Sequence, residues 1–500
     1  MNRRTFLRSA GAGVVMLLSG SSGTASSLTK TTFGADKTKR KPNILFLFSD
    51  DQTFRAIHIM KELDVETPNL DKLAAGGTVF SHCFIQGGFH GAICVASRAT
   101  VVTGRHLWDC GNGGNCLDKN KRLYPLWSET LGSAGYDTFV TGKWHINKEA
   151  LTKGFQTIGP MMDGGMLIST DSKGQAYHRP APGNRWTPYD PEWQGQWMNV
   201  DGKIVHSSVR WADAAIDYLE NHASKNDKPF FMHVAFNAPH DPRQSPKEYV
   251  DKYPPDKMPN WKNFVPKHPF DLFDFKTRDE LLAPYPRTPE AIHVHLQEYF
   301  GIITHLDSQI GRIIDALNKS GKAENTIIVF ASDNGLAIGQ HGLLGKQSMY
   351  EHSIRVPLIL SGPGIPKGRR IDAMVYLPSL FATTCELAGV DIPSSVEFPS
   401  FVPLMTGQKK KLHETIYAAL EDKQRMIRTE TWKLIRYPQA RKVQLFDMRN
   451  DPWEIRNLAE DPKYSDILIE MNDAMKKAMK EMNDPMPSDA VFFSGTVKAD

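Results

Sequence analysis

Asn43-Ile44-Leu45-Phe46-Leu47-Phe48 is an unbroken apolar run that stops abruptly at Ser49-Asp50-Asp51. A strand with one wet face alternates, so an unbroken run predicts a strand buried on both faces. The same grammar returns three times: Thr138-Phe139-Val140 leads to Gly142-Lys143, 230–236 leads to Pro239-His240, and 326–331 leads to Asp333-Asn334. Between the last two, Ile303, Leu306, Ile310, Ile313 and Leu317 keep the three-four spacing of one apolar helix face. Strands alternating with helices predict an α/β fold, a mixed, largely parallel sheet sandwiched by helices, whose ligands gather beyond the carboxyl ends of the strands. Four polar clusters at four strand ends therefore converge on one site.

The grammar changes after about Pro393. Residues 415–420, 426–437 and 443–446 read as short antiparallel strands, followed by a helix with Leu468, Met471, Met475, Ala478 and Met482 on one face. A methionine stripe at that spacing reads as core packing. Residues 186–211 and the proline-rich stretch 254–289 show no steady period and read as long loops over the active face. These shifts divide the chain into 1–25, 26–41, a catalytic domain 42–393 and a C-terminal subdomain 394–500.

Arg3-Arg4-Thr5-Phe6-Leu7-Arg8, a short apolar run and small residues ending at Ala25 form the pattern of a twin-arginine export signal. It implies a twin-arginine translocase as partner and a periplasmic or secreted mature protein. No stretch reaches the roughly 18 apolar residues of a membrane helix, so no membrane span is expected. Removing Arg3, Arg4 and Arg8 takes the formal charge from +4 to +1, which is no nucleic-acid footprint. Five cysteines in 500 residues are too few for a disulfide scaffold. Cys110 and Cys116 flank a Gly/Asn-rich turn and are a candidate bridge, with a zinc site as the rival reading, whereas Cys83 and Cys385 read as buried apolar residues.

One lone thiol stands apart. Cys94-Val95-Ala96-Ser97-Arg98, continued by Ala99-Thr100-Val101-Val102-Thr103-Gly104-Arg105, places it beside an arginine where a helix should begin. Together with Asp50-Asp51, Gly142-Lys143-Trp144-His145, Pro239-His240 and Ser332-Asp333-Asn334-Gly335, this stretch resembles the formylglycine-dependent sulfatases of the alkaline phosphatase superfamily. The 445–458 segment resembles the sulfatase C-terminal subdomain. The resemblance implies that Cys94 is oxidised to a Cα-formylglycine aldehyde by a formylglycine-generating maturation enzyme, with Ala96 in place of the commoner proline.

Asp50, Asp51, Asp333 and Asn334 offer only oxygen donors, which suit a hard divalent cation, calcium first and magnesium second. The resemblance makes these four the metal ligands and adds residue 94 to the shell. Hydration of the aldehyde gives a geminal diol; one hydroxyl attacks sulfur and the other later collapses to expel sulfate. Arg98 would hold the diol, Lys143 and Lys346 the sulfate oxygens. His240 would protonate the departing alcohol, and His145 stands where the family places the base for the second hydroxyl.

Trp186, Tyr189, Trp193 and Trp197 offer aromatic platforms, and Asp241 and Arg243 beside His240 are candidates for binding sugar hydroxyls or a carboxylate. The expected activity is removal of sulfate from a sulfated oligo- or polysaccharide. Two alternatives stand beside it: a phosphodiester or phosphonate monoester hydrolase of the same superfamily, and a catalytically inactive sulfated-sugar-binding protein if Cys94 stays a thiol.

Overall fold

A computed structural model describes residues 40–110, 124–162, 176–193, 195–272 and 277–492. The export signal, the linker up to residue 39 and Cys116, and with it the candidate bridge to Cys110, lie outside the described residues.

The Asn43–Ser49 strand lies at the centre of a nine-stranded sheet. From one edge the path runs Arg369–Ile371, Gly77–Phe84, Arg355–Ser361, Thr326–Ser332, Asn43–Ser49, Phe230–Ala235, Asp137–Lys143 and Thr157–Met162, and Val375–Tyr376 also pairs with Gly77–Phe84. Every pairing is parallel except the two made by Arg355–Ser361, so the sheet is mixed and largely parallel. Successive side chains of a strand point to opposite faces, and both faces are covered. Leu45, Leu47, Met232, Val234 and Phe330 meet the Ser207–Asn221 and Pro289–Lys319 helices. Phe46, Phe48, Phe231 and Val329 belong to the opposite core, shared with the Ile93–Thr103 and Ser379–Ala388 helices. That double burial is why the run is unbroken.

Ile303, Leu306, Ile310, Ile313 and Leu317 are all buried in the Pro289–Lys319 helix, which Thr288 caps by accepting from Ala291 N–H. The C-terminal part forms a second sheet, antiparallel across Ile416–Leu420, Gln424–Arg428, Trp432–Tyr437 and Lys442–Asp447. The expected single strand 426–437 is two strands, because Thr429-Glu430-Thr431 turns between them. This sheet also takes the Gly87–Gly88 pair, in parallel, from the catalytic part. The Ser465–Glu481 helix buries Met471, Met475, Ala478 and Met479, confirming the methionine stripe as packing.

The 186–211 region departs from the expected loop. Trp197–Val200 and Lys203–His206 form a hairpin, and the Ser207–Asn221 helix starts before Trp211. The helix was hidden because its buried face mixes Trp211, Ala212, Ala215 and Leu219 with few large aliphatics. Trp186 is also buried, donating to Glu298, so it packs the wall and is not an exposed platform.

Buried histidines add an acid-sensitive element. His206 Nδ1 accepts from Ser208 N–H at 3.1 Å and its Nε2 faces Gln244 O at 2.9 Å, which commits the ring to one neutral tautomer. Burial pushes it down to about 4, and pushes His233 to about 3 and His268 to about 4. Their folded pKa values lie below the unfolded value of about 6.5, so this stability is complete above pH ~6.5 and is lost as pH falls toward ~4. Each such histidine costs up to about 1.4 kcal/mol per pH unit in that window. Thermal midpoints measured from pH 7 to 4.5 should fall steadily, and less steeply for His206→Gln. A flat profile would show that these rings are protonated without strain.

Candidate active site

The register of the central strands builds the site. Ser49 pairs with Ser332 and Phe48 with Ala235, so Asp50-Asp51, Asp333-Asn334 and the segment from Asn237 to His240 leave one edge of the sheet side by side. Asp51 N–H donates to Asp333 Oδ1 at 3.1 Å, and Asp50 N–H to Ala238 O at 3.1 Å. Asp51 has a φ of 68° and Tyr299 Oη braces its carbonyl at 2.7 Å. A left-handed aspartate held this way marks a backbone bent to aim a side chain. Lys143 ends the neighbouring strand after Gly142, whose φ is 98° and where a Cβ would meet Ala235 O at 1.8 Å. Glycine is required there.

Cys94 lies in the first turn of the Ile93–Thr103 helix, 2% exposed, with Sγ 3.3 Å from His145 Nδ1. Arg98, one turn on, ties three strand ends together. Its Nε donates to Asp333 Oδ2 at 2.8 Å, Nη1 to Lys143 O at 2.7 Å and Nη2 to Asp50 Oδ2 at 3.3 Å. These bonds make Arg98 a clamp on the carboxylates. Lys143 Nζ is paired with Asp50 Oδ2, and Lys346 Nζ with Asp51 Oδ1 at 2.5 Å. Asn334 Nδ2 donates to the same Asp51 oxygen at 2.7 Å.

Among the four expected metal ligands, three oxygens remain without a hydrogen-bond donor although fully buried: Asp50 Oδ1, Asp51 Oδ2 and Asn334 Oδ1. Each such atom costs about 1–3 kcal/mol unless a ligand meets it. Ligand atoms of Asp50, Asp51 and His240 lie within 4.8 Å of one another, as do those of Asp50, Cys94 and Asp333. The donor set fits a hard divalent ion. Burial and the neighbouring Asp50 and Asp333 push Asp51 up to about 8 against the pull of Lys346. Asp50 goes the other way: burial raises it, but Lys143, Arg98, His240 and Lys346 together hold it well below the usual range.

His240 Nδ1 is 2.6 Å from Asp241 O and 3.3 Å from Asp241 Oδ1, leaving Nε2 toward Asp51 Oδ2 at 3.7 Å. Asp241 is buried and pairs with Arg278 at 3.0 Å. Arg243 is placed differently from the sequence expectation. It is 1% exposed, with Nη1 against His295 Nδ1 at 3.4 Å, so it belongs to the protein wall and not to the rim. The rim cation is Arg278, from the 254–289 stretch, which also bonds Asp279 at 2.7 Å. Asp279 in turn accepts from Gln347 at 3.0 Å, and Glu280 accepts from Leu344 N–H and Gly345 N–H, fixing the segment that delivers Lys346. Arg278-Asp279-Glu280 is a run of three charges in an aperiodic stretch, and only the chain path brings it to Lys346.

The model of the family described as Sulfatase matches residues 42–390, more than half of the chain. The chain belongs to the sulfatase family. A second model, N-sulphoglucosamine sulphohydrolase, C-terminal, matches residues 339–481 of this sulfatase. It is 28% identical to an N-acetylglucosamine-6-O-sulfatase of Bacteroides thetaiotaomicron, over 92% of this chain and 90% of that one. It is also 28% identical to an arylsulfatase of Clostridium perfringens, over 85% and 92%. Among solved structures, a protein in complex with its substrate D-glucosamine-2-N,6-O-disulfate is similar with a TM-score of 0.68 and 23% identity, over 90% of this sulfatase and 99% of that chain. The phosphonate monoester hydrolase of Agrobacterium radiobacter gives a TM-score of 0.69 and 21% identity, over 88% and 96%.

Proposed function

We propose that this sulfatase removes sulfate from a sulfated carbohydrate, with residue 94 matured to formylglycine and a divalent cation, calcium by preference, held by Asp50, Asp51, Asp333 and Asn334. The observation that carries the reading is the meeting of Cys94, three donor-less buried oxygens and two buried ammonium groups at one sheet edge. Relatives named for acting on sulfated glucosamine support the substrate class.

Charge accounting supports it further. Asp50, Asp51, Asp333, Asp241 and Asp279 face Arg98, Lys143, Lys346 and Arg278, five carboxylates against four cations. With all five carboxylates ionised, as cation binding requires, a divalent ion would turn a net charge of one negative into one positive, and a monoanionic sulfate ester would cancel it. The bound ion supplies electrostatic stabilisation of the reacting oxygens, and the aldehyde of residue 94, once hydrated, supplies the nucleophile and a route for sulfate to leave. The chain's own residues do the rest. Lys143 and Lys346 would hold sulfate oxygens, Arg98 keeps the carboxylates in register, and His145, 3.3 Å from the residue-94 side chain, would take a proton from it. His240 would give a proton to the leaving alcohol.

Chelation should stop turnover and calcium restore it, magnesium less fully. Asp51→Ala and Asn334→Ala should each weaken the ion roughly a hundredfold in calorimetric titration. One equivalent of zinc in active protein, or wild-type activity in both variants, would remove the assignment. A second reading, phosphonate monoester or phosphodiester hydrolysis, rests on the likeness to the phosphonate monoester hydrolase fold. Those esters are also monoanionic, so parallel assays on sulfate and phosphate esters decide between them. We further propose domains at 42–393 and 394–500 and export through the twin-arginine route. Among the described residues no helix is long and apolar enough to cross a membrane.

A further inference from the structure

The groups around the reaction centre are almost wholly buried: Cys94, Arg98, Lys143, His240, Asp241 and Lys346 are each at most 3% exposed. Arg278 is more open, with 37% of its side chain exposed while the same guanidinium reaches inward. Nη2 lies 3.0 Å from Asp241 Oδ1, 2.7 Å from Asp279 Oδ1 and 3.5 Å from His240 Nε2, and Nε donates to Asp279 Oδ1 at 3.1 Å. Nη1 has no hydrogen-bond partner among the described residues. A guanidinium carries five N–H donors in a fixed plane, so anchoring one edge aims the other. Arg278 thus borders both the protein interior at His240 and the outside, from which a leaving group must approach.

We propose that Arg278 is the specificity-determining contact for the leaving group, donating from Nη1 to a neutral hydroxyl oxygen on the sugar carbon beside the sulfate ester. Two carboxylates already balance its charge, and Arg278, Asp241 and Asp279 together carry one net negative charge. A second sulfate or a carboxylate at that position would meet repulsion, whereas a hydroxyl oxygen needs only the donor. The expected substrate is therefore a sugar whose sulfated carbon has an uncharged hydroxyl neighbour. This inference rests on the sugar-sulfatase reading above and adds to it a residue and a chemical preference.

Three substrates test it on matured, metal-loaded enzyme: a monosulfated sugar with the neighbouring hydroxyl, its deoxy analogue, and the analogue with a second sulfate at that hydroxyl. The wild type should prefer the first over each of the others by about tenfold to a hundredfold in kcat/KM. Arg278→Met should lose most of that preference, mainly through KM on the hydroxyl substrate, so that its hydroxyl-to-deoxy ratio falls toward one whatever its absolute rate on the deoxy substrate. Arg278→Lys, which keeps the charge but not the plane, should recover little of it. Equal losses on hydroxyl and deoxy substrates would make Arg278 merely structural and overturn the proposal. So would a wild-type hydroxyl-to-deoxy ratio near one, a measurement that needs no variant to fold. Failure to hydrolyse any sulfate ester, activated aryl sulfates included, would instead strike the sugar-sulfatase reading itself.

Discussion

Cys94→Ala should lower turnover of every ester substrate by roughly 10⁴-fold or more, while leaving the fold and its thermal midpoint nearly unchanged. The side chain removed is small and buried at the start of a helix that is packed along its whole length, so the cavity left behind is slight. The chemistry removed is large. Burial pushes the Cys94 thiol above its usual range, and Lys143 and Lys346 only partly offset this. A thiol held in its protonated form is a poor nucleophile, so as plain cysteine the residue would sit idle among groups arranged around it. The sulfatase reading gives it work only after oxidation. Peptide mass spectrometry of active enzyme should find residue 94 as the aldehyde, with activity proportional to the converted fraction. Full activity with an unmodified thiol would defeat the proposal, and a fully converted protein that binds sulfated sugars without turnover would support the inactive binding alternative.

The part of the site legible in the sequence is the part that local order supplies. Asp50-Asp51, Gly142-Lys143, His240 and Asp333-Asn334 each end an apolar run, and parallel neighbours in one sheet put such ends together whatever their separation along the chain. Arg278 and Asp279 are different in kind. They reach Asp241 and Gln347 from a short helical turn between proline-rich loops, and no periodicity points them at their partners. Arg243 shows the opposite error. Its place beside His240-Asp241 suggested a contact with substrate hydroxyls or a carboxylate, yet three residues past His240 the chain has turned inward to the Pro289–Lys319 helix at His295. The hairpin at Trp197–Val200 and Lys203–His206 was hidden for a related reason, since its strands are only four residues long and mostly half-exposed. The small sheet was legible as strands, but its parallel pairing with Gly87–Gly88 was not, because a two-residue strand has no pattern.

His240→Ala should separate substrates by their leaving groups. His240 Nδ1 is committed to Asp241, so Nε2 is the nitrogen that can pass a proton to a substrate. Burial and Lys346 hold the ring down to about 3 without substrate, and an arriving sulfate anion, by offsetting the lysine charge, would raise its proton affinity. Proton donation therefore follows binding. A sugar alcohol, with a pKa close to that of water, about 15.7, leaves poorly as an alkoxide, whereas an activated phenolate departs unaided. The substitution should cost about 10²- to 10⁴-fold in kcat on a sugar sulfate and less than about tenfold on an activated aryl sulfate. Equal losses on both would take the acid role from His240 and leave it as a neighbour of Asp51. Rapid hydrolysis of phosphodiesters, with no turnover across a panel of sulfated saccharides, would transfer the chain to the phosphonate and phosphodiester reading, in which the same histidine would face a different leaving oxygen.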